Sequence, residues 1–162
     1  MPVNIIIFVL GIIAGIIATG IIVLIAMPKM MIITKQSKFD YETTIAKLEQ
    51  SVKDAGWSHK GTTCISDDIK KRIGKDMGVR IGAVKLCKAD YADEILRDHK
   101  ARFVSCLMPC SVSVWEGDDG KVYVSKMNTG LMGKMFGGII ARVMGGKVSV
   151  DEEKMLNIIL EN

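Results

Sequence analysis

An uninterrupted apolar run near the start of the chain constrains the fold more than any other feature. From Ile5 to Met27 there is no charged residue, and Thr19 carries the only hydrogen-bonding side chain. As an α-helix this run would be roughly 34 Å long, which is enough to cross a hydrocarbon core of about 30 Å. We therefore predict a single-pass transmembrane anchor over residues 1–28, followed by a tethered domain.

Two other kinds of apolar segment fit the run less well. A cleavable signal peptide has basic residues before a shorter apolar core and small residues at its cleavage site. Here no Lys or Arg precedes the run, and its end, Leu24-Ile25-Ala26-Met27-Pro28, is a poor cleavage site. A buried core helix is seldom apolar on every side. The pattern favours a retained membrane span.

Small residues recur at helical spacing inside the predicted span. Gly11 and Gly15 form a GxxxG pair, and Ala14 and Ala18 repeat the spacing one face over. Such residues let two membrane helices approach closely, although Gly and Ala are also simply common in membrane helices. The pattern predicts a helix–helix contact, with either a second copy or another membrane subunit as the partner.

The side of the membrane is indicated by lysines and cysteines. Lys29, Lys35 and Lys38 follow the span, and by the positive-inside rule they place the domain in the cytoplasm. The cysteines at 64, 87, 106 and 110 contain no CxxC pair, so a disulfide framework is not indicated. Reduced thiols agree with a cytoplasmic location.

Length and charge indicate how many domains follow the predicted span and what kind of partner they would bind. About 134 residues follow the anchor, the usual size of one domain. The net charge of +4 is spread among interspersed basic and acidic residues, without an Arg-rich stripe and interleaved aromatics. This argues against nucleic acid as a partner and favours an anionic membrane surface.

Apolar periodicity predicts an α+β fold, a compact domain with a mainly antiparallel sheet covered by helices. The residues from Val79 to Cys87 are apolar on both strand faces, which predicts a central strand. Asp118-Asp119-Gly120 predicts a tight turn between two strands. Its register would place Trp115 opposite Tyr123 and Val114 opposite Val124.

The segment 129–146 is unusual because it combines glycines with pairs of apolar residues every four positions. On one helix these pairs make a broad apolar face that could cover the sheet, the membrane surface or a partner subunit. The candidate face comprises Leu131, Met132, Met135, Phe136, Ile139 and Ile140. Ser149, with Glu152 at the capping-box position, predicts the start of a last helix. We therefore divide the rest of the chain into a domain at 29–128 and a packed segment at 129–162.

Between Ile32 and Met127 the chain contains, in this order, Ala55-Gly56-Trp57, Met77-Gly78-Val79, Cys87 and Leu107-Met108-Pro109-Cys110. In these motifs, and most closely in the last, the chain resembles the bacterial and archaeal domain of unknown function 302 (DUF302) family. The resemblance implies a compact α+β domain of a kind that often forms dimers, and it brings no established catalytic activity. Cys87 is followed by Lys88-Ala89 where the family usually has Asn-Pro. Neither the segment 129–146 nor the membrane anchor is expected to be a core feature of the family.

The resemblance also implies that Cys87 and Cys110 lie close together at one end of the sheet. Thiolates and thioethers suit soft metals such as Cu(I), so Cys87, Cys110, Cys106 and Met127 are candidate ligands for copper or haem. The alternative is that these residues only pack, since Cys and Met are common in protein cores. No cofactor follows from the sequence alone.

Two functional hypotheses remain. The first is a non-catalytic, membrane-anchored accessory protein that forms a homodimer or joins a membrane complex. The second is a small thiol-based redox or soft-metal module built on Cys87 and Cys110. An enzyme is disfavoured, because the two histidines, His59 and His99, lie in no catalytic motif.

Overall fold

The N-terminal helix projects from the rest of the protein. The structure is a computed structural model that describes the backbone of residues 2–161 and the side chains of residues 7–161. Helix α1, Pro2–Met31, contains the apolar run, and its segment Ile7–Met31 is long and apolar enough to cross a membrane. Every side chain from Ile7 to Ile25 is exposed, so α1 is not a core helix. Met1 and Asn162, the ends of the predicted division, lie outside the described residues.

The domain after α1 combines five strands with helices in the described part of the chain. The predicted α+β class is confirmed. The elements are β1 Ile32–Gln36, α2 Tyr41–Asp54, β2 Ser58–Cys64, α3 Ile65–Ile73, β3 Ile81–Cys87, α4 Ala89–Leu96, a 3₁₀ helix His99–Leu107, β4 Cys110–Glu116, β5 Val122–Met127, α5 Thr129–Phe136, α6 Gly138–Ile140, a π-helical turn Ala141–Val148 and α7 Ser149–Asn157.

The strands form one antiparallel sheet in the order β1-β5-β4-β3-β2. β3, which was predicted to be a central strand, is an inner strand that pairs with β4 on one side and with the edge strand β2 on the other. β4 lies in the middle of the sheet. The hairpin prediction is confirmed, because Trp115 pairs with Tyr123 and their rings stack with centroids 4.7 Å apart. Gly120 has a φ of +74°, which the turn requires and which other residues rarely adopt.

The core lies between one face of the sheet and the helices. Alternate residues of the inner strands point to this face, and Val84, Val112 and Val114 are at most 1% exposed. They belong to one cluster with α2, the 3₁₀ helix, the π-helical turn and α7. Burying each such side chain contributes about 1.5–3 kcal/mol, so helix packing on this face is the main source of stability.

The segment 129–146 is not one helix. α5 ends at Gly137, whose φ of +72° takes the chain out of the helical conformation. A second helical stretch then runs from Gly138 through the π-helical turn into α7. α5 approaches this turn closely, because a Cβ on Gly133 would collide with the backbone of Gly145.

The predicted capping box at Ser149 is wrong. The helical stretch passes through this position without a side-chain cap, and the Ser149 hydroxyl donates to the Gly145 carbonyl at 2.7 Å. The carboxylate of Glu152 instead pairs with Lys126 of β5. A long-range ion pair has replaced the local motif.

The connection between α1 and the sheet has no linker, since α1 ends at Met31 and β1 begins at Ile32. The Asn128 backbone N–H donates to the Met31 carbonyl at 2.8 Å, and its side-chain amide donates to the Met30 carbonyl at 2.9 Å. Strands β5 and β3 end at this side of the sheet, and β4 and β2 begin there. We call this end of the sheet, where the strands begin or finish, the α1 edge; the name does not refer to an edge strand.

Candidate functional site

A pocket of about 390 Å³ opens at the α1 edge, beyond the point where β4 and β5 cease to pair. The last paired residues are Val112 and Lys126. Past this pair, the walls of the pocket are formed by the 3₁₀ helix, the start of α5, the π-helical turn and α7. The lining is mainly apolar, which is typical of small-molecule pockets.

Four sulfur-containing side chains line this pocket: Cys106, Cys110, Met127 and Met144. The first three are among the candidate residues predicted from the sequence. Cys87 is not in this pocket, but it lines a smaller neighbouring cavity of about 30 Å³ together with Cys110. Cys110 therefore connects the two spaces.

All four cysteines of the chain are free thiols. Burial raises the pKa of the Cys110 thiol to about 12, and the nearby Glu152 carboxylate and Cys87 act in the same direction. Cys110 is therefore protonated at neutral pH, and a thiol is a poor nucleophile compared with a thiolate. This environment argues against Cys110 as a redox-active residue in the protein as described.

The described residues offer few side chains arranged as metal ligands. Among the described residues, no group of three or more His, Cys, Asp or Glu side chains could hold a metal ion. A soft metal in the pocket would depend on the thioethers of Met127 and Met144 as well as on the two thiols. Neither histidine lines the pocket.

A buried ion pair borders the pocket. The Lys126 ammonium lies 2.7 Å from the Glu152 carboxylate, and the two side chains are only 11% and 3% exposed. The Thr129 hydroxyl donates to the same carboxylate oxygen at 2.9 Å. The pair joins β5, the start of α5 and α7, and it leaves no unpaired charge facing the pocket.

A second polar centre lies beside the smaller cavity. The Asp151 carboxylate accepts hydrogen bonds from the Trp57 indole at 3.1 Å, the Tyr91 hydroxyl at 3.1 Å and the Lys88 ammonium at 3.3 Å. Burial pushes the pKa of Asp151 upward, but these three bonds outweigh it and hold the pKa below its ordinary value. Asp151 thus fixes α7 against α4 and the start of β2.

The candidate apolar face on 129–146 is divided between the core and the surface. Met132 and Ile140 are buried, at 8% and 4% exposure, and they pack inside the domain. Leu131 and Ile139 are half-buried. Met135 and Phe136 are exposed, so only this part of the predicted face is available to a membrane or a partner.

The candidate contact residues of α1 have open surroundings. Gly11 and Gly15 have no atom of another part of the chain near the position a Cβ would occupy. Ala14 and Ala18 are exposed. The contact they were predicted to make remains a prediction.

Sequence reasoning missed Met144, the Lys126–Glu152 pair and Asp151. One signal could have indicated the pair. Lys126 shares a strand face with Val122 and Val124, both of which are buried, so a lysine there requires a buried partner. Nothing local identifies Asp151 or Met144, because their partners are distant in the chain.

The comparisons with known proteins concern the domain and not α1. The family model described as "Domain of unknown function DUF302" matches residues 33–159. This range includes α5 and the whole helical stretch that follows it, so the expectation that the segment 129–146 lies outside the family's core is wrong. None of the curated proteins matches the chain.

One similar solved structure is an uncharacterized conserved DUF302 protein from Bacillus stearothermophilus. It matches with a TM-score of 0.67 and 16% sequence identity, covering 78% of this chain and 96% of that one. At this identity the likeness shows the fold alone. With the family match over 33–159, the comparison identifies the chain as a member of the DUF302 family.

Proposed function

We propose that this protein is a membrane-anchored, non-catalytic interaction protein. In this proposal α1 spans the bilayer, holds the DUF302 domain at the membrane surface and associates with another membrane helix. The observation that carries the proposal is the exposure of α1, whose most apolar window is 0% buried by the rest of the protein. In water such a helix would expose a very large apolar surface, which soluble proteins avoid.

The helix partner is either a second copy or another membrane subunit. The open surroundings of Gly11 and Gly15 support a close helix–helix contact, because nothing in the chain covers them. Lys29, Lys35 and Lys38 support a cytoplasmic domain. The protonated, partly buried Cys110 thiol favours this role over a thiol-redox role.

The test compares two variants of the full chain in membranes. Gly11→Ile with Gly15→Ile should abolish co-purification of two differently tagged copies, or of the membrane partner, after detergent extraction. Gly20→Ile is the matched control, because Gly20 is equally open but lies on a different side of α1. Resistance of the chain to alkaline extraction reports the span itself. Unchanged assembly of the double variant would refute the helix contact.

A second candidate function is suggested by the sulfur-lined pocket. We propose, as the alternative, that Cys106, Cys110, Met127 and Met144 bind a soft metal such as Cu(I). The chemistry of these donors fits Cu(I) better than haem, since no histidine lines the pocket. The high pKa of Cys110 opposes binding, because the metal would have to displace its proton.

Competition with a chromogenic Cu(I) chelator under reducing conditions would test the alternative. Cys106→Ser with Cys110→Ser should then remove tight binding, whereas Cys64→Ser, at the opposite edge of the sheet, should not. Equal losses in both variants, or no tight binding by the unaltered protein, would eliminate the metal site.

A further inference from the structure

Two segments of the domain leave the sheet beside α1. β3 ends and β4 begins at the α1 edge, so the connection 88–109 starts and ends on that side. β5 also ends there, and α5 follows directly. The hairpin turn at 117–120 lies at the opposite edge. Both segments therefore leave the sheet on the same side of the domain as α1.

These segments bring three large apolar side chains to the surface. Phe103 of the 3₁₀ helix is 57% exposed, and Met135 and Phe136 of α5 are 55% and 42% exposed. The rings of Phe103 and Phe136 contact each other edge to face, with centroids 5.5 Å apart. We call Phe103, Met135 and Phe136 the aromatic patch.

The aromatic patch lies within a short distance of the end of α1. Asn128, which precedes α5, is hydrogen-bonded to the last residues of α1. The eight residues from there to Phe136 advance about 12 Å at helical rise. Phe136 is therefore at most about 12 Å from the end of α1, where a membrane-spanning helix would leave the hydrocarbon core.

Exposed basic residues precede the patch residues in the chain and stand at the end of α1. Lys29 is in the last turn of α1, Arg102 precedes Phe103, and Lys134 precedes Met135, and all three are exposed. Aromatic and aliphatic side chains flanked by Lys and Arg are the composition of interfacial membrane-binding surfaces.

We infer that the aromatic patch inserts into the interface of an anionic phospholipid bilayer beside α1. The inference rests on the proposed membrane anchor and adds a second contact point to it. Phe103, Met135 and Phe136 reach the boundary of the acyl chains, while Arg102 and Lys134 meet the lipid phosphates. The domain is then held in one orientation on the membrane and does not rotate freely above it.

Single tryptophan reporters in the full chain test this contact. Phe136→Trp reports the aromatic patch, Ile16→Trp reports the centre of α1, and Ile158→Trp is the control. Ile158 is 56% exposed and lies at the opposite edge of the sheet, since Ile159 is bonded to Lys38 just beyond β1. Each variant is reconstituted into nanodiscs of phosphatidylglycerol that carry no bromine, bromine on the upper part of the acyl chains or bromine at their ends. The upper bromine reports contact at the depth of the aromatic patch, and the terminal bromine reports contact at the depth of Ile16.

Bromine quenches tryptophan emission only at contact, and the signal of the two native tryptophans is subtracted. We expect Phe136→Trp and Ile16→Trp to lose most of their added emission, and Ile158→Trp to lose none. Phe103→Trp serves as a second reporter of the same patch if Phe136→Trp folds poorly.

The possible failures are distinguishable. Quenching of Ile16→Trp without quenching of either patch reporter would overturn the inference and leave the anchor intact. A blue-shifted but unquenched patch reporter would show burial by protein, which also overturns it. If Ile16→Trp is not quenched, the proposed anchor fails, and the inference fails with it.

Discussion

Replacing Glu152 with leucine would remove one partner of the buried ion pair beside the pocket. Its carboxylate is 3% exposed, lies 2.7 Å from the Lys126 ammonium and accepts a bond from the Thr129 hydroxyl. The variant would leave an ammonium group at 11% exposure without an anion. It would also leave the Thr129 hydroxyl without this acceptor.

The cost follows from these two orphaned groups. Breaking a buried ion pair by removing one partner typically costs about 3–5 kcal/mol, and an orphaned hydroxyl costs about 1–3 kcal/mol. Because the groups share one acceptor, the costs overlap, and we expect a total of about 4 kcal/mol. Domain stabilities are about 5–15 kcal/mol, so the loss is a large share.

The double variant Lys126→Met with Glu152→Leu separates charge from packing. It removes both ions and keeps side-chain volume, and such replacements are typically neutral or stabilising. We expect the free energy of unfolding of the double variant to lie within about 1 kcal/mol of that of the unaltered protein, with the cost of the orphaned Thr129 hydroxyl included. Adding Lys126→Met to Glu152→Leu should thus restore about 3 kcal/mol of the free energy of unfolding.

Urea unfolding of the full chain in mild detergent, followed by the fluorescence of Trp57 and Trp115, measures these differences. Asp93→Leu is the control, because Asp93 pairs with Arg97 at the surface, where the side chains are 59% and 79% exposed. An exposed pair of this kind contributes about 0.3–0.5 kcal/mol. The reasoning is refuted if Glu152→Leu costs no more than the control, or if the double variant is as unstable as the single one.

Three further predictions concern other parts of the domain. Gly133→Ala should destabilise the protein by about 1–3 kcal/mol in the same unfolding assay, because the new methyl group would collide with the backbone of the π-helical turn. Gly146→Ala is the control and should be neutral or stabilising, because the space around Gly146 is open. Cys106, which is exposed, should react with iodoacetamide at pH 8 in the folded protein, and mass spectrometry should show Cys110 unmodified because its pKa is raised to about 12. The pKa of Asp151 in the folded protein is held below its ordinary value of 3.8. The contribution of this carboxylate to the free energy of unfolding is therefore fully present above pH 3.8 and is lost as the pH falls through the folded pKa. Urea midpoints measured across this range should fall less steeply for Asp151→Asn.

The features that could be predicted from the sequence are those set by neighbouring residues. The hairpin register follows from the turn chemistry at Gly120, because a tight turn fixes which residues face each other. The Asp40 cap of α2 is of the same kind, since the Asp40 carboxylate accepts from the Thr43 N–H three residues later at 2.9 Å. Both signals lie within a few residues of the structure they specify.

Predictions failed where a distant partner decided the outcome. Ser149 and Glu152 have the spacing of a capping box, but the Glu152 carboxylate pairs with a lysine 26 residues away. Apolar residues on both faces of β3 correctly indicated an inner strand, but they do not specify its neighbours, because the order of the strands depends on how the whole chain packs. Local patterns do not contain this information.

The candidate site was predicted in part for the same reason. The thiols Cys87 and Cys110 were expected at one end of the sheet, and the two strand ends do meet at the α1 edge. Met144 joins Cys110 in the pocket only through the π-helical turn, which the periodicity of 129–146 did not indicate. The high pKa of Cys110 also depends on burial by segments far away in the chain.

The direct passage from α1 into β1 gives the proposed helix contact a consequence for the whole domain. A flexible linker would let the domain turn independently of its anchor. Here the chain leaves the helix at Met31 and enters the sheet at Ile32, and Asn128 bonds the end of β5 to the same helix end. A partner that binds the Gly11 and Gly15 face would therefore fix the rotation of α1 and, with it, the direction in which the sheet faces. Inserting a short Gly-Ser segment between Met31 and Ile32 should preserve the membrane association of α1 but remove this fixed orientation, which cross-linking between neighbouring domains would detect.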